Sequence, residues 1–300
     1  MLARLTVSQN YTLGIMENSL PSPAAMREAL DASGYLFEQE VASLIETLGF
    51  HVETNSAFLD KELEKSRELD ARAVKVLYTD DVHKFQVIVE LLVECKDNSS
   101  PFVFVARNKN LRELEHASPI EFVFPKREYE KRLSPTSTTF VPAFLHLGLT
   151  AAHYYYREAE KTTQFVKVVR KGREWVANHD GVYDSLLLPM AKAFESRRQE
   201  ASKHNSGTGW RTVWLFFPIV VLRHGLFVLK SGVTDALPEA RQRLSFVREL
   251  RSEVVNGHYL TDFVCFENLE HFMTTDVLGF ANAVVELGKQ KPKVLRGDES

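Results

Sequence analysis

The chain has 300 residues, of which 44% are hydrophobic, and this is enough for one large or two modest domains with a sizeable core. Its formal net charge of −3 excludes the strongly basic character of proteins that coat nucleic acid, although an enzyme needs only a local basic groove. Two cysteines, Cys95 and Cys265, are too few for a disulfide framework or a sulfur-ligated zinc site. We expect both to be reduced, buried thiols of a cytoplasmic protein.

Residues 1–33 read as an N-terminal extension. Polar residues and prolines interrupt any pattern there, Met16 offers an alternative start, and a short helix is expected over 24–32. We expect no signal peptide, because residues 1–15 lack a continuous apolar segment. The longest apolar run, 213–222, is too short to span a bilayer, so we expect no membrane association.

The segment from Gly34 to Gly49 predicts an amphipathic helix. Gly49 stands where a glycine commonly ends a helix, and apolar side chains recur at helical spacing, at Phe37, Val41, Leu44, Ile45 and Leu48. Glu38 falls in the first turn, beside the apolar stripe, where it could reach a site at the edge of a sheet. Glu40 lies slightly farther round on the opposite flank and is the alternative acid.

Three strands are predicted after this helix, over 51–58, 68–78 and 85–96. In the third strand every second residue from Phe85 to Cys95 is apolar, which indicates one face packed against a core.

The connector 60–67 suggests a solvated turn of helix. Asp80 and Asp81, between the second and third strands, read as turn formers rather than metal ligands.

Polar residues gather at two strand ends. Glu94 and Lys96 emerge side by side at the end of the third strand, and Asp70 stands near the start of the second. Active sites of open α/β sheets collect at such carboxyl ends of strands. A Glu and a Lys two residues apart are also common as an exposed ion pair of little energetic weight, so this pair alone does not indicate catalysis.

The order of these elements carries more information: a helix with an acid, a strand, a strand with an Asp and a strand ending in Val93-Glu94-Cys95-Lys96. This order over residues 34–107 resembles the PD-(D/E)XK nuclease superfamily, the restriction-endonuclease-like fold. The sequence departs from the strictest pattern because Leu69, not proline, precedes Asp70.

The resemblance implies a mixed central sheet flanked by helices and a site for Mg²⁺ or Mn²⁺. It implies that Asp70 and Glu94 bind the metal together with the backbone carbonyl of Cys95. It implies that Lys96 orients or helps to deprotonate the attacking water, and that Glu38 acts in the second shell or on a second metal. These four side chains, Glu38, Asp70, Glu94 and Lys96, are therefore the predicted catalytic residues.

The remaining chain predicts a helix-rich second half. Strands are expected over 102–107 and 120–124, followed by helices over 145–160, 165–178 and 183–203, a hairpin of 210–222 and 226–230 turned at 223–225, a helix over 238–255, a strand over 259–266 and a helix over 274–287. We expect a nuclease-like core over 34–135, on which 136–300 packs as an elaboration. A second domain starting near residue 135 is the alternative.

Two basic segments are candidate nucleic-acid surfaces. One combines the aromatic run 153–157 with Lys161, Lys167, Arg170, Lys171 and Arg173, and the other is a helix face with Arg241, Arg243, Arg248 and Arg251. For the first segment, a core role of the tyrosines is slightly favoured, and the second is equally open.

Other motifs predict no chemistry. His146 and His153 could share a helix face, but no further ligand is evident and a structural role is favoured. The loop Ser206-Gly207-Thr208-Gly209 lacks the ending of a phosphate-binding loop, and no Gly-x-Ser-x-Gly elbow occurs.

Two functions remain open. The first is a metal-dependent endonuclease that hydrolyses phosphodiester bonds, in DNA rather than RNA, with a homodimer or a protein partner as an open possibility. The second is a catalytically silent module of the same fold that binds nucleic acid or a protein. The modest net charge and the lack of an evident sequence-reading domain fit the second.

Overall fold

The computed structural model describes residues 20–115, 117–207 and 209–298. Its helices are Pro23–Ser33 (α1), Tyr35–Thr47 (α2), Leu111–Glu115 (α3), Ala143–His146 (α4), Tyr154–Arg157 (α5), Leu188–Gly207 (α6), Leu269–His271 (α7), Leu278–Gln290 (α8) and Pro292–Arg296 (α9). Short 3-10 segments occupy Leu149–Ala151 and Phe266–Asn268, and π-helical segments occupy Tyr183–Leu187 and Phe272–Val277. Helix α1 confirms the helix expected over 24–32. Met16 lies outside the described residues.

The strands occur in runs between these helices, so the protein is of the mixed α/β class. They are His51–Asp60 (β1), Lys65–Asp80 (β2), Phe85–Lys96 (β3), Phe102–Asn108 (β4), Phe122–Val123 (β5), Glu128–Ser134 (β6), Ser137–Pro142 (β7), Glu160–Lys171 (β8), Glu174–Asn178 (β9), Arg211–Leu222 (β10), Leu226–Lys230 (β11), Glu239–Ala240 (β12), Arg243–Arg251 (β13) and Asn256–Cys265 (β14).

Twelve of the strands in the described ranges form one large mixed sheet. Its order is β1-β2-β3-β10-β14-β13-β8-β4-β11-β12, with β5 beside β10 and β9 beside β8, while β6 and β7 form a separate hairpin. Strands from both halves of the chain thus share this sheet. The division at residues 33 and 135 stays a prediction.

The three strands predicted after α2 are confirmed, and β1, β2 and β3 form an antiparallel meander. The turn between β2 and β3 is closed by Asp80, whose Oδ1 accepts hydrogen bonds from the N–H groups of Val82 (3.0 Å) and His83 (2.9 Å). The helical turn expected over 60–67 is wrong. Asp60 instead accepts hydrogen bonds from two backbone N–H groups of a tight hairpin turn, and β2 begins at Lys65.

Strand β10 lies parallel to β3 along its whole length, with Val213 opposite Val87 and Leu222 opposite Lys96. Parallel neighbours need a long crossover connection, and α6 lies on this one. Helix α6 covers one face of the sheet and α2 and α8 cover the other, so both faces of β3 are buried rather than one. Glu90 on β3 is fully buried and paired with Arg72 (2.7 Å) and Arg197 (2.6 Å).

The expected helix over 165–178 is wrong, because these residues form the antiparallel pair β8 and β9. The helix expected over 238–255 is also wrong, since β13 occupies that stretch and pairs with β14 from Arg243 to Arg251. The second half therefore extends the sheet rather than forming a mainly helical layer. Valines are common in 165–178, and β-branched residues pack well on a pleated surface.

Strands β10 and β11 exist as predicted, but they do not pair as a hairpin. Strand β10 lies between β3 and β14, and β11 pairs with β4 and β12. Gly225 makes this change of partner possible. Its φ is 80°, a side chain there would lie 3.2 Å from Cα of Pro101, and its carbonyl accepts a hydrogen bond from Phe102.

Both cysteines are buried free thiols, as expected. Among the described helices, none has the length and apolar character needed to cross a membrane.

Candidate active site at the ends of two adjacent strands

Asp70 lies where β2 and β3 separate. The last paired residues are Ala71 and Val93, so Asp70 and Glu94 are the next positions in that register. The backbone N–H of Cys95 donates to Oδ2 of Asp70 at 2.6 Å. The carboxylate thus takes the place of a ladder partner, which holds it at the gap between the two strands.

Glu94 and Lys96 leave β3 on the same side, two residues apart. The ammonium of Lys96 donates to Oε1 of Glu94 at 2.6 Å, and both side chains are partly buried. The register that places Asp70 level with Glu94 also brings this ion pair beside Asp70, because side chains alternate with a period of two.

Glu38 approaches from α2. This helix begins after Gly34, which has a φ of 84° and whose carbonyl accepts a hydrogen bond from the N–H of Glu38 at 3.1 Å. A cleft of about 440 Å³ opens here, and its lining includes Glu38, Asp70, Cys95 and Lys96. Glu94 is not part of the lining and joins the cluster through Lys96.

Burial raises the pKa of each of the three acids. For Glu38 the negative charges of Asp70 and Glu94 add to the effect of burial, and for Glu94 that of Asp70 adds to it. The pKa of Asp70 is raised by burial, while the Cys95 hydrogen bond and the charge of Lys96 lower it. Three carboxyl groups with mutual repulsion therefore surround one ammonium.

Cys95 contributes its main chain rather than its sulfur. Burial, with smaller effects from Asp70 and Glu38, raises the pKa of its thiol, so the thiol stays protonated. In an extended strand the N–H and C=O of one residue face the same edge. Because the N–H of Cys95 meets Asp70, its carbonyl also faces that side, whereas the neighbouring carbonyl of Lys96 accepts from Arg223 on the other.

The donor atoms of this site fit a hard divalent cation. Carboxylate and carbonyl oxygens are what Mg²⁺ and Mn²⁺ prefer. The pKa values of Glu38 and Glu94 are raised mainly by burial, and the neighbouring acids add to this effect. Across residues 20–115, 117–207 and 209–298, no group of three or more His, Cys, Asp or Glu side chains is arranged to hold a metal ion. At this site two carboxylates, those of Asp70 and Glu94, and the Cys95 carbonyl are the protein oxygens that could hold a cation, with waters completing its shell.

Comparison of the chain with protein-family profiles, with curated proteins and with solved structures finds no match.

Arg223 is a residue of this site that the sequence did not suggest. It follows β10 directly, and its guanidinium pairs with Asp97 (2.9 Å) and Glu40 (3.2 Å) and lies 4.2 Å from the ring centre of Phe37. It therefore ties α2 to the end of β3. Glu40, the alternative acid, is engaged in this pair and does not line the cleft. The parallel pairing of β10 with β3 is the feature that would have identified Arg223.

Lys167 is a second cation near the site. Its Nζ lies 5.2 Å from the ring centre of Phe102, and burial together with the charge of Lys96 lowers its pKa. No sequence signal points to this proximity, because it depends on the pairing of β8 with β4.

The aromatic run 153–157 belongs to the core and is not a nucleic-acid surface. Tyr154 is 2% exposed and donates a hydrogen bond to Asp262, and Tyr155 is buried. His153 is fully buried, and burial lowers its pKa to about 3, while His146 stacks on Tyr129 at 4.1 Å. The structural roles favoured for these residues agree with this packing.

The second basic segment is a strand rather than a helix face, so its predicted geometry is wrong. Three of its arginines are paired with acids: Arg241 with Glu239, Arg243 with Glu158 and Asp276, and Arg251 with Glu249. Of the predicted loop 206–209, Thr208 lies outside the described residues.

Proposed function

We propose that this chain is a metal-dependent endonuclease of the PD-(D/E)XK type that hydrolyses phosphodiester bonds, in DNA rather than RNA. One observation carries the proposal. The hydrogen bond from Cys95 to Asp70 and the ion pair of Lys96 with Glu94 bring the predicted acids and base to adjoining strand ends, beside the cleft that Glu38 also lines.

The order of elements supports the same reading. Helix α2 with its acid is followed by β1, by β2 with Asp70 and by β3 with Glu94 and Lys96, inside a mixed sheet that helices flank on both faces. This is the order on which the resemblance rests. The carboxyl end of β3 is also where an open α/β sheet binds its ligands.

Each residue has a role in this proposal. Asp70, Glu94 and the Cys95 carbonyl would hold Mg²⁺ or Mn²⁺, which when bound supplies charge stabilisation at the phosphate and a more acidic water. Lys96, held by Glu94, would orient the attacking water and donate hydrogen bonds to the phosphate oxygens. Glu38, which lines the same cleft, would act in the second shell of that ion or on a second metal.

The test is cleavage of plasmid DNA, of oligonucleotides and of RNA with Mg²⁺ or Mn²⁺, by the wild-type chain and by the variants Asp70→Asn, Glu94→Gln and Lys96→Ala. We expect DNA cleavage that depends on the metal and falls by at least about 100-fold in each variant, since one transition-state interaction is worth that much. A matched control is Lys289→Ala, because Lys289 pairs with Glu286 at 2.7 Å on the surface of α8. If the folded site variants cleave DNA as fast as the wild-type chain, the assignment of these residues as catalytic would be wrong.

A silent module is the second candidate. The direct neutralisation of Glu94 by Lys96 favours it, because the pair satisfies itself without a metal. Calorimetric titration with Mn²⁺ separates the two: a nuclease should show saturable binding that is lost in Glu94→Gln, and a silent module should show none.

A further inference from the structure

The hairpin of β8 and β9 is a basic projection with an exposed tryptophan. Lys167 pairs with Asn178 and Arg170 with Trp175, and the turn is made at Gly172 with a φ of 63°. The side chain of Trp175 is 64% exposed. Its indole face is therefore accessible for stacking on a planar ligand.

The charge of this hairpin differs from that of the chain. Between residues 163 and 178 it carries four basic residues, Lys167, Arg170, Lys171 and Arg173, against the single acid Glu174, while the whole chain has a net charge of −3. The three basic residues nearest the turn, Arg170, Lys171 and Arg173, are exposed. Within the described ranges no ion pair joins any of the four to a carboxylate, so their charges are available to an anionic ligand.

The end of the hairpin farthest from its turn contacts the loop that follows β3. The N–H of Val168 donates to the carbonyl of Pro101 at 2.9 Å, and Pro101 follows Lys96 by five residues. From Lys167 to Lys171 the strand spans about 13 Å at 3.3 Å per residue. Side chains alternate along β8, so Lys167 and Lys171 lie on one face of the hairpin, and Arg170 lies on the other face with its cross-strand partner Trp175.

We infer that this hairpin binds an unpaired strand of the nucleic-acid substrate, with a base stacked on Trp175 and phosphates held by Arg170 on the same face and by Arg173 at the turn. The inference rests on the proposed function for the identity of the ligand. Cationic side chains next to an exposed aromatic ring are what single-strand binding uses. An unpaired strand is specified because a base within a duplex has no free face to stack on an indole.

The experiment measures binding without cleavage. A fluorescein-labelled 20-nucleotide oligodeoxythymidylate and a duplex of equal length are titrated with the full chain in EDTA, by fluorescence anisotropy. We expect tighter binding of the single strand, a loss of about 5- to 150-fold in Trp175→Ala, and retention of most of the affinity in Trp175→Phe. Arg170→Ala and Arg173→Ala should each reduce the slope of log K against log salt by about 0.7.

Phe140→Ala is the matched control. Phe140 is 62% exposed on the β6–β7 hairpin, which also carries basic residues but balances them with acids. Its removal should leave binding unchanged. Equal single-strand binding by wild-type and Trp175→Ala protein would overturn the inference, as would a Trp175-dependent preference for the duplex.

The two proposals fail in different ways. Suppose that metal-dependent cleavage is lost in Lys96→Ala, while Trp175→Ala changes neither cleavage nor single-strand binding. The nuclease proposal would then stand, and the inference about the hairpin would be wrong. If single-strand binding depends on Trp175 but the wild-type chain cleaves no nucleic acid, the nuclease proposal would be wrong and the inference about the hairpin would stand.

Discussion

The backbone N–H of Cys95 and the Oδ2 atom of Asp70 are 2.6 Å apart, across the point at which β2 and β3 stop pairing. This contact gives Asp70 two roles. It satisfies a main-chain donor that has lost its ladder partner, and it presents a carboxylate to the cleft. Substitutions can separate the roles, because one needs only an oxygen and the other needs a charge.

Asp70→Asn should keep the fold and lose the metal. The asparagine oxygen can still accept from Cys95, whereas Asp70→Ala leaves that partly buried N–H unpaired and should lower the free energy of unfolding by about 1–3 kcal/mol. Urea unfolding measures the difference between the variants, and Mn²⁺ calorimetry should show binding in neither. Mn²⁺ affinity that survives in Asp70→Asn would contradict a metal role for this residue.

The raised pKa values of Glu38, Asp70 and Glu94 predict how stability depends on pH and metal. A carboxyl group whose pKa is raised on folding holds its proton more tightly in the folded chain. Its contribution to stability is therefore largest below the ordinary pKa, and it is lost as the pH rises through the interval up to the raised pKa. A bound cation stabilises the ionised carboxylates of the folded chain and so offsets this loss of stability. It binds more weakly at low pH, because protons compete for the same carboxylates.

We accordingly expect Mn²⁺ to raise the melting temperature more at pH 8 than at pH 5. At a concentration one hundred times Kd, the stabilisation at pH 8 should be about 2.7 kcal/mol. Differential scanning fluorimetry checks this, with the double variant Asp70→Asn/Glu94→Gln as the control that should show no response. A rise of the same size at both pH values would count against the assignment of these acids as ligands.

The first half of the fold could be predicted, since its elements show themselves locally. The stripe of Phe37 and Val41 and the terminal Gly49 delimit α2, and the alternation in 85–95 delimits β3. The grouping of Asp70 with Glu94 came from the resemblance and needed the pairing of β2 with β3 to acquire a geometry. Local pattern and order of elements were sufficient for this part.

The second half could not be predicted in the same way. In 165–178 the apolar residues suit a helix or a strand, and only the pairing of β8 with β4 and β9 decides between them. The turn at Gly225 suggested a hairpin, but β10 gains more by lying between β3 and β14, where it is buried on both faces. Arg223 and Lys167 reach the site only through these long-range pairings.

Arg223 is expected to act as a positioning residue. Its pairs with Asp97 and Glu40 are partly exposed, so Arg223→Ala should lower the free energy of unfolding by no more than about 1 kcal/mol. Because it joins the helix of Glu38 to the end of β3, we expect kcat to fall on the order of 10-fold, as small displacements at a reaction centre are costly. The KM for DNA should change little. Steady-state kinetics test this.

The matched control for Arg223 is Arg251→Ala. Arg251 pairs with Glu249 at 2.6 Å within β13, so this ion pair does not join α2 to the end of β3. Arg223→Lys should recover only part of kcat, since an ammonium cannot reproduce a guanidinium that pairs with two acids. A fall in kcat of equal size in Arg251→Ala would show a general loss of stability instead.

Glu121 should govern a further part of the pH dependence. It is 2% exposed, its Oε1 accepts from the N–H of Leu260 at 2.6 Å, and burial raises its pKa from 4.5 to about 7, with a smaller contribution from Asp262. Between pH 4.5 and 7 the unfolded chain releases this proton while the folded chain keeps it, so stability declines over that interval. The decline from this group is on the order of 3 kcal/mol, at 1.36 kcal/mol for each pH unit.

Glu121→Gln should remove that decline, because the amide keeps an oxygen for Leu260 and has no proton to release. Urea unfolding at pH values from 4 to 8 should give a flatter stability profile than that of the wild-type chain, with the variant the more stable of the two at pH 8. Glu128→Gln, at an exposed acid nearby in the sequence, should follow the wild-type profile. Parallel profiles for wild-type and Glu121→Gln would mean that the buried carboxyl group is already ionised well below pH 7 and that its hydrogen bond with Leu260 outweighs its burial.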